Sequence, residues 1–338
     1  MQKSDEIDKL FITSAYDGYE TRYPKLLELS DRQIEKQMWF ASETKVLEED
    51  RLEMLYKLTE KQKNVLKAIM PMFRKYEDNI AEFWTEVFAK YFQAPECKEG
   101  SLVIGMMERA VHERFYDKIA QVFDMNTDEH YLSYTKDPIF KDRAKWLGST
   151  LKNKDKHLVC LVYGLVEGVS LFSMFALLRS FQANGYNNIA TTVKGTKQSA
   201  QDELLHSEYL ATAFNYYYAE HGKSLEFDDT DYFNALMEQA HNVVSLEKYI
   251  LTCLLGEDGE FNGVHINDYF RLIEKLADDY FVRLGCVQLP FNVGDCELHS
   301  WFITNAVAYA EPDFFGKGKN KEYEMAWDAD SFCGVWKK

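Results

Sequence analysis

The chain has 338 residues with a formal net charge of −16, and 46% of its residues are hydrophobic. So acidic a surface repels polyphosphate and anionic lipid, which argues against nucleic-acid or membrane-surface binding. Only 17 glycines and 6 prolines are present, few for this length, which disfavours a turn-rich, many-stranded fold and favours long helices.

The six cysteines, at 97, 160, 253, 286, 296 and 333, form no Cys-x-x-Cys pair, and Cys160 and Cys253 sit in apolar helical runs. Reduced thiols of a cytoplasmic protein are expected, in host cytoplasm if the source is viral. Met1–Asp8 is polar and charged, unlike a signal peptide.

In chain order, residues 1–50 read as an N-terminal segment of irregular structure and short helices. A helical pattern runs from Thr59 through Tyr91, with Pro71 as an expected kink or boundary. The stretch APECKEG (94–100) breaks it. Ser101–Phe123 is helical in period, and 123–138 reads as loop. Leu158–Leu178 is apolar with one charge, Glu167. It is long enough to span a membrane. Its charged flanks (Asp155, Lys156, His157 and Arg179) and the absence of any similar segment favour the centre of a large helical bundle instead. ANGYNN (183–188) is a turn signal. Helices follow at Thr191–His221, Asp229–Leu255 and Asn262–Leu284, with room for one more after Pro290. The polar tail from Pro312 is expected to be flexible. The fold class is all-α: a bundle domain over 51–311 between the N-terminal segment and a tail at 312–338.

Glu167 raises the chemical question, because a carboxylate inside an apolar helix is costly unless paired, protonated or metal-bound. The next long helix carries QDELLHSEY (201–209), with Glu203 and His206 three apart on one face. MERAVHERFY (107–116) places Glu108 and His112 four apart. Two acid-plus-histidine faces with one carboxylate from each of two further helices are what di-iron and di-manganese bundles require. Glu167 supplies one single carboxylate and Asp78, in RKYEDNIAEFW (74–84), the other. Carboxylate oxygens with one imidazole per ion suit Fe or Mn better than structural Zn.

The set resembles the small, radical-generating subunit of class I ribonucleotide reductases, in the ferritin-like superfamily, over nearly the whole chain. QMWFASETKVLEEDR (37–51) is similar to that family's early tryptophan motif. The resemblance implies a dinuclear Fe or Mn centre, two ions per chain, on Asp78, Glu108, His112, Glu167, Glu203 and His206. It implies Tyr116 as the radical tyrosine, and Trp39 with Asp202 as the relay outward. O2 or a reduced oxygen species would activate the centre. The family works as a homodimer docked on a large subunit through its C-terminal tail. Here YEMAWDADSFCGVWKK (323–338) offers Phe332 and Trp336 as anchors and Tyr323 as the tail's redox tyrosine, with Trp327 as the alternative. One position departs. The family's glutamate lies three residues before its histidine, a slot held here by Arg109. Glu108, four before, would sit about 100° around an α-helix from that slot unless a one-residue π-bulge restores the register. Two rivals stay open: a dimetal oxidase or oxygenase acting on its own organic substrate, and a ferritin-like metal store or inactive scaffold.

Overall fold

The computed structural model describes residues 10–18, 20–43, 48–220 and 231–304. The tail residues Tyr323, Trp327, Phe332 and Trp336 lie outside them. The expected all-α bundle is observed. Its helices are α1 (Pro24–Lys36), α2 (Glu48–Tyr56), α3 (Glu60–Glu82), α4 (Pro95–Met106), α5 (Glu113–Val122), α6 (Pro138–Leu151), α7 (Lys156–Leu165), α8 (Phe172–Ser180), α9 (Ala190–Glu220), α10 (Asp231–Leu255), α11 (Ile266–Arg283) and α12 (Glu297–Phe302). Three π-helical stretches interrupt the long helices, at Phe83–Phe88, Met107–His112 and Val166–Ser170.

Local chemistry sets the starts. Thr59 Oγ1 accepts from Gln62 N while Gln62 Oε1 accepts from Thr59 N, a reciprocal cap that opens α3. Asp155 accepts from His157 N and Leu158 N at the head of α7. The cap of α9 comes from another helix: Asp50 of α2 accepts from Thr192 N and both threonine hydroxyls at 191 and 192.

Of the kink or boundary expected at Pro71, the boundary is not found: α3 runs through it. A mid-helix proline costs about 3 kcal/mol. Met70, Met72 and Phe73 around it are buried, and each buried side chain of this size returns about 1.5–3 kcal/mol. The break expected at 94–100 shrinks to the residues before Pro95, which opens α4 with its preset φ. The expected loop at 123–138 holds one-turn helices at Asp128–Tyr131 and Ser133–Lys136. The last long helix begins at Ile266 rather than Asn262, because Glu260–Phe261 and Val264–His265 pair as a small hairpin. Its turn, Asn262–Gly263, has positive φ at both residues, the conformation that Asn-Gly favours.

Helix Lys156–Ser180, formed by α7, the π stretch and α8, has a mean hydropathy of 1.9 over its apolar window, and 94% of that window is buried inside the fold. It is the central core helix, as expected. Neighbours approach it closely. A Cβ on Gly164 would lie 2.0 Å from Tyr280 Oη of α11, and one on Gly168 would lie 2.7 Å from Ser207 Oγ of α9. Gly164 therefore has no room for a side chain, and one at Gly168 would displace the Ser207 hydroxyl. Tyr280 donates to Leu161 O and Ser207 to Gly164 O, pinning the core helix to its two neighbours. None of Cys97, Cys160, Cys253, Cys286 and Cys296 is in a disulfide, as expected.

Candidate metal centre

Six fully buried side chains converge where four helices meet: Glu77 from α3, Glu108 and His112 from the second π stretch, Glu167 from the third, and Glu203 and His206 from α9. They form two overlapping groups, Glu77–Glu108–His112–Glu203 and Glu108–Glu167–Glu203–His206, with ligand atoms within 4.8 Å of one another in each. His112 Nδ1 lies 3.2 Å from Glu108 Oε2, 3.2 Å from Glu203 Oε1 and 3.3 Å from Glu77 Oε2. His206 Nδ1 lies 2.7 Å from Glu108 Oε1, 3.4 Å from Glu203 Oε2 and 3.8 Å from Glu167 Oε2. Glu108 and Glu203 thus each turn one oxygen to either imidazole. Glu77 serves only the first group and Glu167 only the second.

The register anomaly at Arg109 has a structural answer. Met107–His112 is π-helical, so the face recurs after more than four residues and Glu108 points the same way as His112. The displaced Arg109 is 58% exposed, paired with Asp78 and, at 3.0 Å, with Glu113. Glu167 likewise sits in a π stretch.

Asp78, the expected first carboxylate, is not in the cluster. It lies at the surface, bonded by Lys75 at 2.9 Å and by Arg109. Glu77 takes the inward place. The buried face of α3 runs Phe73, Glu77, Ile80, with Trp84 continuing it. Asp78, five residues past Phe73, falls off that stripe. That stripe was readable in the sequence and would have picked out Glu77.

The other named residues surround the cluster. Asp202 Oδ2 accepts from Trp39 Nε1 at 2.8 Å and lies 2.9 Å from His112 Nε2. The Trp39 ring stacks on His112 with centroids 5.6 Å apart. Gln33 and Gln37 donate to Asp202 Oδ1 at 3.0 and 3.2 Å, two contacts without a sequence signal. Tyr116 is buried one turn past His112, stacked on Phe73 at 4.7 Å, and donates to Ser199 Oγ at 3.1 Å. Trp84, also unforeseen, donates its indole N–H to Glu167 Oε1 at 2.8 Å.

Electrostatics in the cluster are strongly perturbed. Burial pushes Glu77 well above the usual carboxylate range, as it does Glu167, where the neighbouring Glu203 adds to the rise. Burial works against Glu108 too, but His112 and His206 beside it hold it low. Both histidines are raised well above their ordinary value; burial opposes this and Glu108 overrides it. Burial raises the Tyr116 phenol, and Glu77 adds to the rise.

The donor set fits two divalent cations. Among the described residues, both oxygens of Glu77, Glu108 and Glu203, and Oε2 of Glu167, have no aligned hydrogen-bond donor although all are buried. Lone pairs that converge without donors call for a shared cation. Four carboxylates balance two dications, and two imidazoles complete an N/O set suited to Fe or Mn. Asp202, 2.9 Å from His112 Nε2, stands where an outer carboxylate can orient an imidazole towards a metal.

A family model described as "Ribonucleotide reductase, small chain" matches residues 16–294. The chain belongs to that family. A probable ribonucleoside-diphosphate reductase small subunit of Invertebrate iridescent virus 6 is 27% identical over 220 residues, 59% of this chain and 58% of that protein. The chain thus aligns with little more than half the length of that curated relative. Among solved structures, the ribonucleotide reductase R2 subunit of Clostridium botulinum superposes with a TM-score of 0.73 at 16% identity, covering 88% of this chain and 98% of its own. The dimanganese(II)-NrdF of Streptococcus sanguinis superposes at 0.68 and 16% identity, covering 87% and 99%. At these identities the likeness shows that the helical-bundle fold is shared. It is the small-chain family that accounts for a buried acid–imidazole cage in such a bundle.

Proposed function

We propose that this chain is the radical-generating subunit of a ribonucleoside-diphosphate reductase. It would hold two Fe or Mn ions on Glu77, Glu108, His112, Glu167, Glu203 and His206, work as a homodimer, and pass oxidising equivalents to a large subunit that reduces ribonucleotides. The observation that carries this is the unbroken line Trp39–Asp202–His112 leading into the cage, with a buried tyrosine one turn further on. An oxidase acting on its own substrate needs neither the line nor the tyrosine. The proposal places the protein in the cytoplasm, of an infected host if it is viral like its relative.

Two bound ions would supply the oxidising power, with O2 or a reduced oxygen species as the activating oxidant. The chain's own residues do the rest. Glu108 and Glu203, shared by the two groups, would hold both ions. Asp202 holds His112 in the tautomer that leaves Nδ1 free to ligate, because Nε2 carries the proton towards Oδ2. Tyr116 would give up an electron to the oxidised metal centre and release its phenolic proton along its hydrogen bond to Ser199 Oγ. Its O–H is fixed on Ser199, and Phe73 and Phe115 wall it from water, so the radical persists. Trp39, bonded to Asp202, carries the oxidising equivalent outward. The tail beyond 311, with Tyr323, Phe332 and Trp336, docks on the partner.

The test is electron paramagnetic resonance after loading with Fe(II) and O2, or with Mn(II) and a superoxide source. The wild-type chain is expected to show a tyrosyl signal and Tyr116→Phe to lose it while keeping its metal content. Broad metal signals without a tyrosyl component in the wild type would favour the oxidase reading. Truncation after residue 311 is expected to keep the radical signal and abolish reduction in the presence of the large subunit. Truncated protein that still supports turnover would remove the tail from the proposal.

A further inference from the structure

Each imidazole of the cage has its own tryptophan, and the two are built differently. Trp39 stacks on His112 and connects through Asp202. Trp84 meets His206 edge-on, with centroids 6.2 Å apart, and hydrogen-bonds a ligand carboxylate directly. It is fully buried, wedged against Phe88 at 4.9 Å, Phe83 at 5.6 Å and Tyr209 at 5.7 Å. Its backbone is fixed as well, since Trp84 O accepts from Ser101 Oγ at 2.7 Å within the π stretch Phe83–Phe88. This indole has no freedom to swing away.

We propose that Trp84 is a positioning residue for the second metal site: its indole N–H occupies Glu167 Oε1, so that Glu167 meets the ion through Oε2 alone. This rests on the reading that the cage holds two ions. The geometry is direct. Oε1 accepts from Trp84 Nε1 at 2.8 Å, whereas Oε2 has no aligned donor and faces His206 Nδ1. A carboxylate held in this way leaves a coordination position free beside His206 that two-oxygen ligation would fill. Glu77 in the first site has no such donor on either oxygen among the described residues. The two sites therefore differ in how tightly their terminal carboxylate is aimed, and Trp84 sets that difference.

Trp84→Phe keeps most of the ring packing and removes the donor. Titration with Mn(II), followed calorimetrically, is expected to show the second ion bound about 10–100-fold more weakly, the usual effect of losing a partner that orients a ligand, with the first ion unchanged. A purely structural role would not move a second readout: the infrared splitting of the Glu167 carboxylate stretches should pass from the one-oxygen to the two-oxygen pattern. Should Trp84→Phe fail to fold, benzothienylalanine at position 84 keeps the ring shape and deletes only the N–H, and the same two changes are expected. Either folded variant binding both ions as the wild type does, with an unchanged splitting, overturns the role of Trp84. A wild-type chain that takes up only one Mn(II) would instead overturn the two-ion reading, and this inference with it.

Discussion

Glu77→Gln is expected to weaken Mn(II) binding by on the order of 100-fold or more, while Asp78→Asn binds as the wild type does. Even residues that only orient a ligand are worth about 10–100-fold, and Glu77 is placed to be a ligand. The variant is also clean. Burial raises Glu77 towards its neutral acid, and glutamine has the shape of that acid. The metal-free melting temperature should hardly move. What disappears is stabilisation by metal: at a Mn(II) concentration 100 times the wild-type Kd, binding contributes about 2.7 kcal/mol, and a 100-fold loss of affinity removes most of it. Asp78 has only its partly exposed pairs with Lys75 and Arg109 to lose, a kind of contact worth about 0–1 kcal/mol. The reverse result, with Asp78→Asn losing metal and Glu77→Gln keeping it, would mean that α3 is turned by one residue and that the cage is wrongly drawn.

This pair of adjacent acids shows where the sequence was informative and where it fell short. The bundle was legible because apolar residues at helical spacing and scarce Gly and Pro leave few alternatives. Glu167, Glu203 and His206 were legible because an acid in an apolar helix and an acid–imidazole pair on the next helix need one another. The family resemblance implies Asp78, whereas the buried stripe through Phe73 and Ile80 selects Glu77. The three π stretches were harder to see. A π turn inserts one residue without altering composition, and its gain comes from tertiary contacts that no local pattern encodes. Only the displaced Arg109 hinted at one of them. Trp84 reads as one more core aromatic, since its partner Glu167 is 83 positions away. The same holds for Arg143, which meets its partners only after four other elements have packed.

Arg143 carries the largest stability effect expected outside the cage. It lies on α6, 2% exposed, 2.5 Å from Glu247 Oε1 of α10, and it also donates to Ser170 O. Its guanidinium sits 4.4 Å over the Tyr76 ring of α3, and Ser173 of α8 donates to the other oxygen of Glu247. One buried cation thus ties α3, α6, α8, α10 and the third π stretch together. Arg143→Met is expected to destabilise the metal-free protein by about 3–5 kcal/mol at pH 8, because it strands Glu247 in an apolar interior. The loss should depend on pH in a definite direction. Burial already pushes Glu247 up to about 7 even though Arg143 pulls it down, so removing Arg143 raises it further. An acid raised on folding contributes stability that is complete below its ordinary value of 4.5 and lost as pH climbs through the folded value. At pH 5, Glu247 in the variant is neutral and the penalty is small; at pH 8 it must either ionise unpaired or hold a proton against solvent. Urea midpoints for wild type and Arg143→Met at the two pH values, both metal-free, measure the difference. An equal loss at both would assign the effect to lost packing over Tyr76 rather than to charge. The double variant Arg143→Met/Glu247→Leu separates the two further: with both charges gone, an apolar pair of similar volume should recover most of the pH 8 loss, as buried ion pairs replaced by hydrophobic residues commonly do.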